Sequence, residues 1–179
     1  RDLVISDGFI DQYYNNGLKF GVSLWFSSFS PFASSCPASF ILLIDDDYML
    51  NVKNLVKLIE QRKGQKDLYE GWRMDSSPFR LRLQKHSVSL SVYPFHLYPP
   101  YISAGAALVN IRTAKRFYLG SLYTPQFDFD DVYAGILAKK LSITPVHNEG
   151  FPWNALIVDW KNTVAAHGYS SIQMRSAFP

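Results

Sequence analysis

The chain has 179 residues and a mass of 20.4 kDa, which suits one domain with a substantial core and leaves too little for two ordinary ones. Hydrophobic residues make up 47% of it and charged residues only 18%, which excludes a disordered chain. The net charge is +3, and the strongest basic cluster, Arg62-Lys63-Gly64-Gln65-Lys66, follows a helical pattern and reads as a solvated helix end, so charge gives no reason to expect nucleic acid as a partner.

In chain order, Leu3-Val4-Ile5 reads as a short strand. The chain opens on Arg1 and runs straight into this strand, so the expectation is one N-terminally incomplete domain over residues 1–179. No signal peptide and no apolar run of the roughly 20 residues that cross a bilayer is present, so a membrane connection would need an anchor this chain does not contain. From Asp11 to about Phe26 the residues Ile10, Tyr14, Leu18, Val22 and Trp25 recur at helical steps and predict one buried face. Pro31 to Pro37 is Ser-rich and reads as a loop. It holds Cys36, the single cysteine, which allows no intrachain disulfide and by itself suggests a reducing compartment.

Phe40 to Ile44 is a continuous apolar run, expected to be a fully buried strand of a parallel sheet. Asn51 reads as the N-cap of a helix carrying Val52, Leu55, Val56 and Ile59 and ending at Gly64. Ser87 to Tyr93 alternates like a strand, Tyr98-Pro99-Pro100-Tyr101 is a rigid turn, and Ala104 to Asn110 predicts another strand. Helices are expected at Arg112–Tyr123 and Asp131–Leu141, and a strand at Ile143–Val146, with Trp153 and Trp160 anchoring an irregular end. Strands alternating with helices give an α/β class with a mostly parallel central sheet, in which ligands bind at the carboxyl ends of strands.

The chemistry concentrates at a few acids. Asp45-Asp46-Asp47 follows the apolar run directly, and like charges so close cost stability unless a cation offsets them. Mn²⁺ and Mg²⁺ prefer carboxylate oxygens and bridge to substrate phosphates, so an Asp-x-Asp at a strand end suggests a metal–diphosphate site; a polar helix cap with solvated acids is the plain alternative. Asp130-Asp131 precedes a helix, where a carboxylate serves equally as an N-cap or, within reach of an acceptor hydroxyl, as a general base. His167 stands alone after a small apolar stretch, and a lone histidine is more often structural than a ligand.

Taken together, these segments resemble the β1,3-glycosyltransferase family of galactosyl-, N-acetylglucosaminyl- and Fringe-type enzymes. The resemblance rests on Asp7-Gly8-Phe9-Ile10-Asp11-Gln12-Tyr13-Tyr14-Asn15 with Leu18-Lys19, on Cys36-Pro37 and the strand into Asp45-Asp46-Asp47, and on Gly71 with Pro78 and Arg80. It continues in Tyr98-Pro99-Pro100-Tyr101-Ile102-Ser103, in Asp130-Asp131-Val132-Tyr133-Ala134-Gly135 and in the late His167, all in the family's order. It implies a GT-A, Rossmann-like fold whose first strand lies upstream of this chain. It implies Mn²⁺ (or Mg²⁺) held by Asp47 and His167, with Asp131 as the general base. Asp45, Asp46, Arg80 and Gly105 would contact a UDP-sugar donor, and Tyr98, Tyr101, Trp72 and Asp130 a glycoprotein or glycolipid glycan acceptor. The reaction implied is inverting transfer of galactose or N-acetylglucosamine to form a β1,3 linkage, and the setting is the Golgi lumen, in a type II membrane protein. The Asp-Asp form of the last signature leans toward the N-acetylglucosaminyl and Brainiac-like members. The chain departs from the pattern at Ala104, where glycine is usual and Gly105 comes next, and its single cysteine is fewer than the family carries. A silent relative that binds a glycan without turnover is the competing expectation.

Overall fold

A computed structural model of the chain describes residue 12 and residues 15–35, 37–81, 84–154, 159–170 and 172–173, with Ala104 given by its backbone alone. The expected strand at Leu3–Ile5, the Asp7–Asp11 part of the first motif, Tyr13, Tyr14 and Cys36 lie outside the described residues, as does any crowding by the Ala104 side chain.

Helix α1 spans Asn16–Phe29 and α2 spans Pro31–Ser35. Phe20 and Leu24 are the buried rows of α1, and Phe20 packs on Phe117 and Tyr133 at ring-centroid distances of 6.2 and 6.4 Å. The expected face is therefore rotated: Leu18 and Trp25 are 41% and 42% exposed, because the ring contacts select the neighbouring apolar stripe. The predicted loop at Pro31 is a short helix instead. Buried Ser30 caps it by accepting from Ala33 N–H at 3.2 Å, and Pro31 fits the first helical turn.

Strand β1 (Phe40–Ile44) is followed by β2 (Tyr48–Leu50), α3 (Val52–Arg62), β3 (Tyr69–Met74) and β4 (Tyr101–Asn110). Then come α4 (Ile111–Ser121), α5 (Asp130–Lys140), β5 (Val146–His147) and β6 (Ala165–His167). The predicted cap at Asn51 forms, its Oδ1 accepting from Asn54 N–H at 3.1 Å. Asn110 caps α4 in the same way at 2.9 Å.

Among the described residues the main sheet runs β1-β4-β3-β5 and a smaller one pairs β2 with β6. The expected mostly parallel sheet is corrected here. β4 pairs antiparallel with both β1 and β3, and only β3–β5 is parallel. β1, β3 and β5 still point the same way; β4 is inserted against them because the long segment from residue 75 to residue 100 returns the chain to the same end of β3 that it left, with Tyr101 opposite Met74. The run at Phe40–Ile44 is only half-buried, since β1 has a partner on one side alone among the described residues. Ser87–Tyr93 is not a strand either. After a single bridge from Phe79 to Ser87, Ser89 turns the chain by bonding Ser91 Oγ (2.8 Å) and Val92 N–H (3.3 Å), and Leu90 and Val92 face solvent.

β4 gives the sheet two apolar faces. Alternation puts Val109 on one face and Ala106 and Leu108 on the other, and an irregularity in the β3–β4 register brings Ile102 to the side of Val109. Val109 and Ile102 join Phe20, Phe117, Tyr133 and Leu137 beneath α1, α4 and α5, while Ala106 and Leu108 join Tyr48, Leu58, Phe151 and Ala165. One buried charge crosses this arrangement. Glu70 is fully buried and accepts from Arg62 Nε and Nη2 and from Asn148 Nδ2, each at 2.7 Å, so Arg62 is a core staple and not part of a solvated helix end. The predicted Trp anchors are exposed, Trp153 at 46% and Trp160 at 37%. Among the described residues no helix is long and apolar enough to cross a membrane.

Candidate active site

The carboxyl ends of β1 and β3 meet the amino end of β4, since Ile44 faces Ala106 and Met74 faces Tyr101. A cavity of about 800 Å³ opens there, lined among others by Asp45, Tyr48, Tyr98, Tyr101, Asp131 and His167. This is where ligands bind in an α/β sheet.

Asp45 leaves β1 with its N–H donating to the Gly105 carbonyl at 2.8 Å. The turn through Asp46 and Asp47 leads into β2, which pairs antiparallel with β6 so that Tyr48 stands opposite His167. Gly168 and Tyr169 each donate a backbone N–H to the Asp47 carbonyl at 3.2 Å. Two residues 120 positions apart are thereby joined, with His167 Nε2 at 2.9 Å from Asp47 Oδ2. The approach of β6 is held by α3. Asn54 Nδ2 donates to the Thr163 carbonyl at 2.7 Å, and Asn51 Nδ2 to the Trp160 carbonyl at 3.2 Å.

The opposite wall is the first turn of α5. Phe129 is its N-cap, so Asp130 and Asp131 are both helical and neither serves as the cap. Asp131 Oδ1 accepts from Val132 N–H at 2.7 Å. Gly135, one turn further, lets the helix lie directly on Tyr101, where a Cβ would meet Tyr101 Cβ at 2.6 Å and the Pro100 carbonyl at 3.1 Å. Tyr98 and Tyr101 are buried rather than open to stacking. Tyr101 shares a hydrogen bond with Ser76 Oγ at 2.9 Å, while the Tyr98 hydroxyl has no partner among the described residues.

Electrostatics single out this corner. Burial, and then the nearby carboxylates of Asp130, Asp47 and Asp46, push the Asp45 carboxyl above its ordinary range, against an opposing pull from Lys19. Burial likewise raises Asp130, although backbone N–H groups of the helix start and Lys19 pull the other way. Tyr48 is pushed up to about 12 by burial and by Asp45 and Asp47. The acids thus crowd one another with too little positive charge to balance them, a situation a divalent cation relieves.

Other residues singled out in the sequence stand elsewhere. Gly105 sits behind the Asp45 turn with φ +102, where a side chain would strike the Tyr48 ring. Asp46 is exposed and does not line the cavity. Arg80 does not line it either: its guanidinium donates to the carbonyls of Val88 (2.8 Å), Tyr93 (2.9 Å) and Phe95 (2.8 Å), so it braces the segment before Tyr98. Trp72 points to the second core with its ring against His147, centroids 4.9 Å apart. The exposed rings at the cavity are Phe79 and Trp153. Tyr48 escaped sequence reading, because its role depends on the β2–β6 pairing.

Asp47 and His167 offer one carboxylate oxygen and one imidazole nitrogen, a pair able to hold a first-row divalent cation such as Mn²⁺, whereas the imidazole fits the harder Mg²⁺ less well. Among the described residues no cluster of three or more acidic, His or Cys side chains forms, so diphosphate and water would complete such a coordination shell.

Comparison with known proteins agrees with the motif order. The galactosyltransferase family profile matches residues 1–149, and the chain belongs to that family. The β1,3-galactosyltransferase bre-5 of Caenorhabditis elegans is 42% identical over 172 residues, covering 94% of this chain and 52% of the relative. The β1,3-galactosyltransferase brn of Drosophila melanogaster is 36% identical, covering 83% of this chain and 45% of the relative. The human β1,3-galactosyltransferase 1 is 30% identical, with coverages of 84% and 45%. The chain therefore spans about half the length of these relatives.

Proposed function

We propose that this chain carries the catalytic centre of an inverting β1,3-glycosyltransferase that moves galactose or N-acetylglucosamine from a UDP-sugar to a glycan acceptor. The observation that supports it most is that Asp45, Asp131 and His167, drawn from distant parts of the sequence, line one cavity, with Asp47 bonded to His167. Relatives named β1,3-galactosyltransferases support the reaction class.

In this reading Asp47 and His167 would hold a divalent cation, whose charge would offset that of the diphosphate leaving group. Asp45 faces the donor side. Asp131, fixed at the start of α5 by its bond to Val132 N–H, takes the proton of the acceptor hydroxyl as that oxygen attacks the anomeric carbon. The carbon–oxygen bond to the diphosphate breaks in the same displacement, and its electron pair leaves with the diphosphate. Phe79 and Trp153, exposed aromatics that line the cavity, offer rings on which the acceptor's sugars can stack. The same reading places the reaction in the Golgi lumen.

The test is Asp131→Asn, assayed for sugar transfer and for UDP binding in the presence of Mn²⁺. Transfer falls by at least about 100-fold, the range removed with a general base, while UDP binding is retained. Loss of UDP binding in this variant would make Asp131 part of the donor site and sink its assignment as base.

A further inference from the structure

Tyr48 follows the acidic turn directly and is only 8% exposed. One face of its ring covers Gly105, where positive φ and the missing side chain create the niche; a Cβ there would collide with the ring and come within 2.7 Å of its hydroxyl oxygen. It also lies against the His167 imidazole, 5.2 Å away between centroids and tilted by 47°. The two residues are directly opposite across β2 and β6, so backbone pairing enforces this ring contact.

The His167 side chain is 44% exposed, and among the described residues its one polar side-chain partner is Asp47. If both are ligands, the cation takes the place of that direct contact, and Asp47 no longer orients the imidazole by hydrogen bonding. Orientation must then come from packing. We propose that Tyr48 is the positioning residue of this centre: seated in the niche at Gly105, its ring holds the His167 imidazole toward Asp47 in a ligating orientation. The inference rests on the reading of Asp47 and His167 as metal ligands. It reassigns Gly105, which acts through Tyr48 and not by touching the donor. It also accounts for a ring here, since Tyr48 reaches Gly105 with its Cε2, Cζ and hydroxyl atoms while lying against the His167 imidazole.

The experiment measures Mn²⁺ binding at saturating UDP, read from the loss of the sharp paramagnetic resonance signal of free aqueous Mn²⁺. It compares the wild type with Tyr48→Phe and Tyr48→Leu, and melting in EDTA shows that each variant is folded. Leucine keeps the site apolar but lacks the ring that spans from Gly105 to the imidazole. Tyr48→Phe is expected to bind like the wild type and Tyr48→Leu about ten-fold or more weakly, the range for residues that orient a ligand. A folded Tyr48→Leu protein that binds Mn²⁺ as tightly as the wild type would overturn the inference, as would equal losses in both variants. Failure of the wild type itself to bind Mn²⁺ with UDP would instead overturn the metal-site reading beneath it.

Discussion

Gly135→Ala should disable the site by a small displacement. The new methyl would sit 2.6 Å from Tyr101 Cβ, 3.1 Å from the Pro100 carbonyl oxygen and 3.3 Å from Tyr101 Cα. None of these atoms can swing aside as the tip of a flexible side chain can. Comfortable carbon–carbon contact begins near 3.5 Å, so α5 must retreat by about 1 Å. Overpacking of this kind costs about 1–3 kcal/mol, and the better helix propensity of alanine returns up to about 1 kcal/mol. A net loss of about 1–2 kcal/mol lowers the melting temperature by about 2–8 °C in a chain of this size. Asp131 lies one turn away on the same helix face and moves too, which lowers kcat by as much as about 100-fold. On the proposed reading UDP binds on the β2–β6 side, so its affinity should stay near the wild-type value. Gly21→Ala in α1 is the control, because nothing among the described residues lies within 4 Å of the new methyl. It should raise the melting temperature by about 2–4 °C through propensity alone. Calorimetric melting and initial-rate kinetics measure both effects. A Gly135→Ala protein that melts at or above the wild type with unchanged kcat would refute the close-packing argument.

Other outcomes follow from the same geometry. Arg62→Met strands the fully buried Glu70 carboxylate and should cost about 3–5 kcal/mol in urea unfolding; adding Glu70→Gln should recover more than half of that, and a double mutant no more stable than Arg62→Met would contradict the pairing. Arg80→Met removes the brace across Val88, Tyr93 and Phe95 and should lower the local opening free energy there by about 2 kcal/mol, seen as faster limited proteolysis with UDP affinity unchanged. A large drop in UDP affinity would restore Arg80 to the donor site.

The sequence exposed the local elements and the acids more readily than the way they assemble. Asn51 is legible as a cap because capping is settled within one turn, and Phe40–Ile44 is legible as a strand because five apolar residues precede a charged turn. The direction of β4 is not local; it follows from how the residues between 75 and 100 return, and serine turns at Ser89 replaced the strand that alternation suggested. The face of α1 was misread because two apolar stripes compete, and the choice is made by Phe117 and Tyr133 on helices almost 100 residues or more away. The candidate site shows the same division. Asp45, Asp47, Asp131 and His167 stand out by residue type and motif order, while Tyr48 gains meaning only when β2 pairs with β6, and Arg80 loses its phosphate role only when its carbonyl partners are seen.

If Asp47 and His167 form a cation-dependent nucleotide site, calorimetric titration of the chain with UDP should show binding in Mn²⁺ that disappears in EDTA. In Asp47→Asn the affinity should fall by about ten-fold or more, the scale on which even groups that merely orient a metal ligand alter its affinity. UDP binding that is equally tight in EDTA, or unchanged in Asp47→Asn, would contradict such a site.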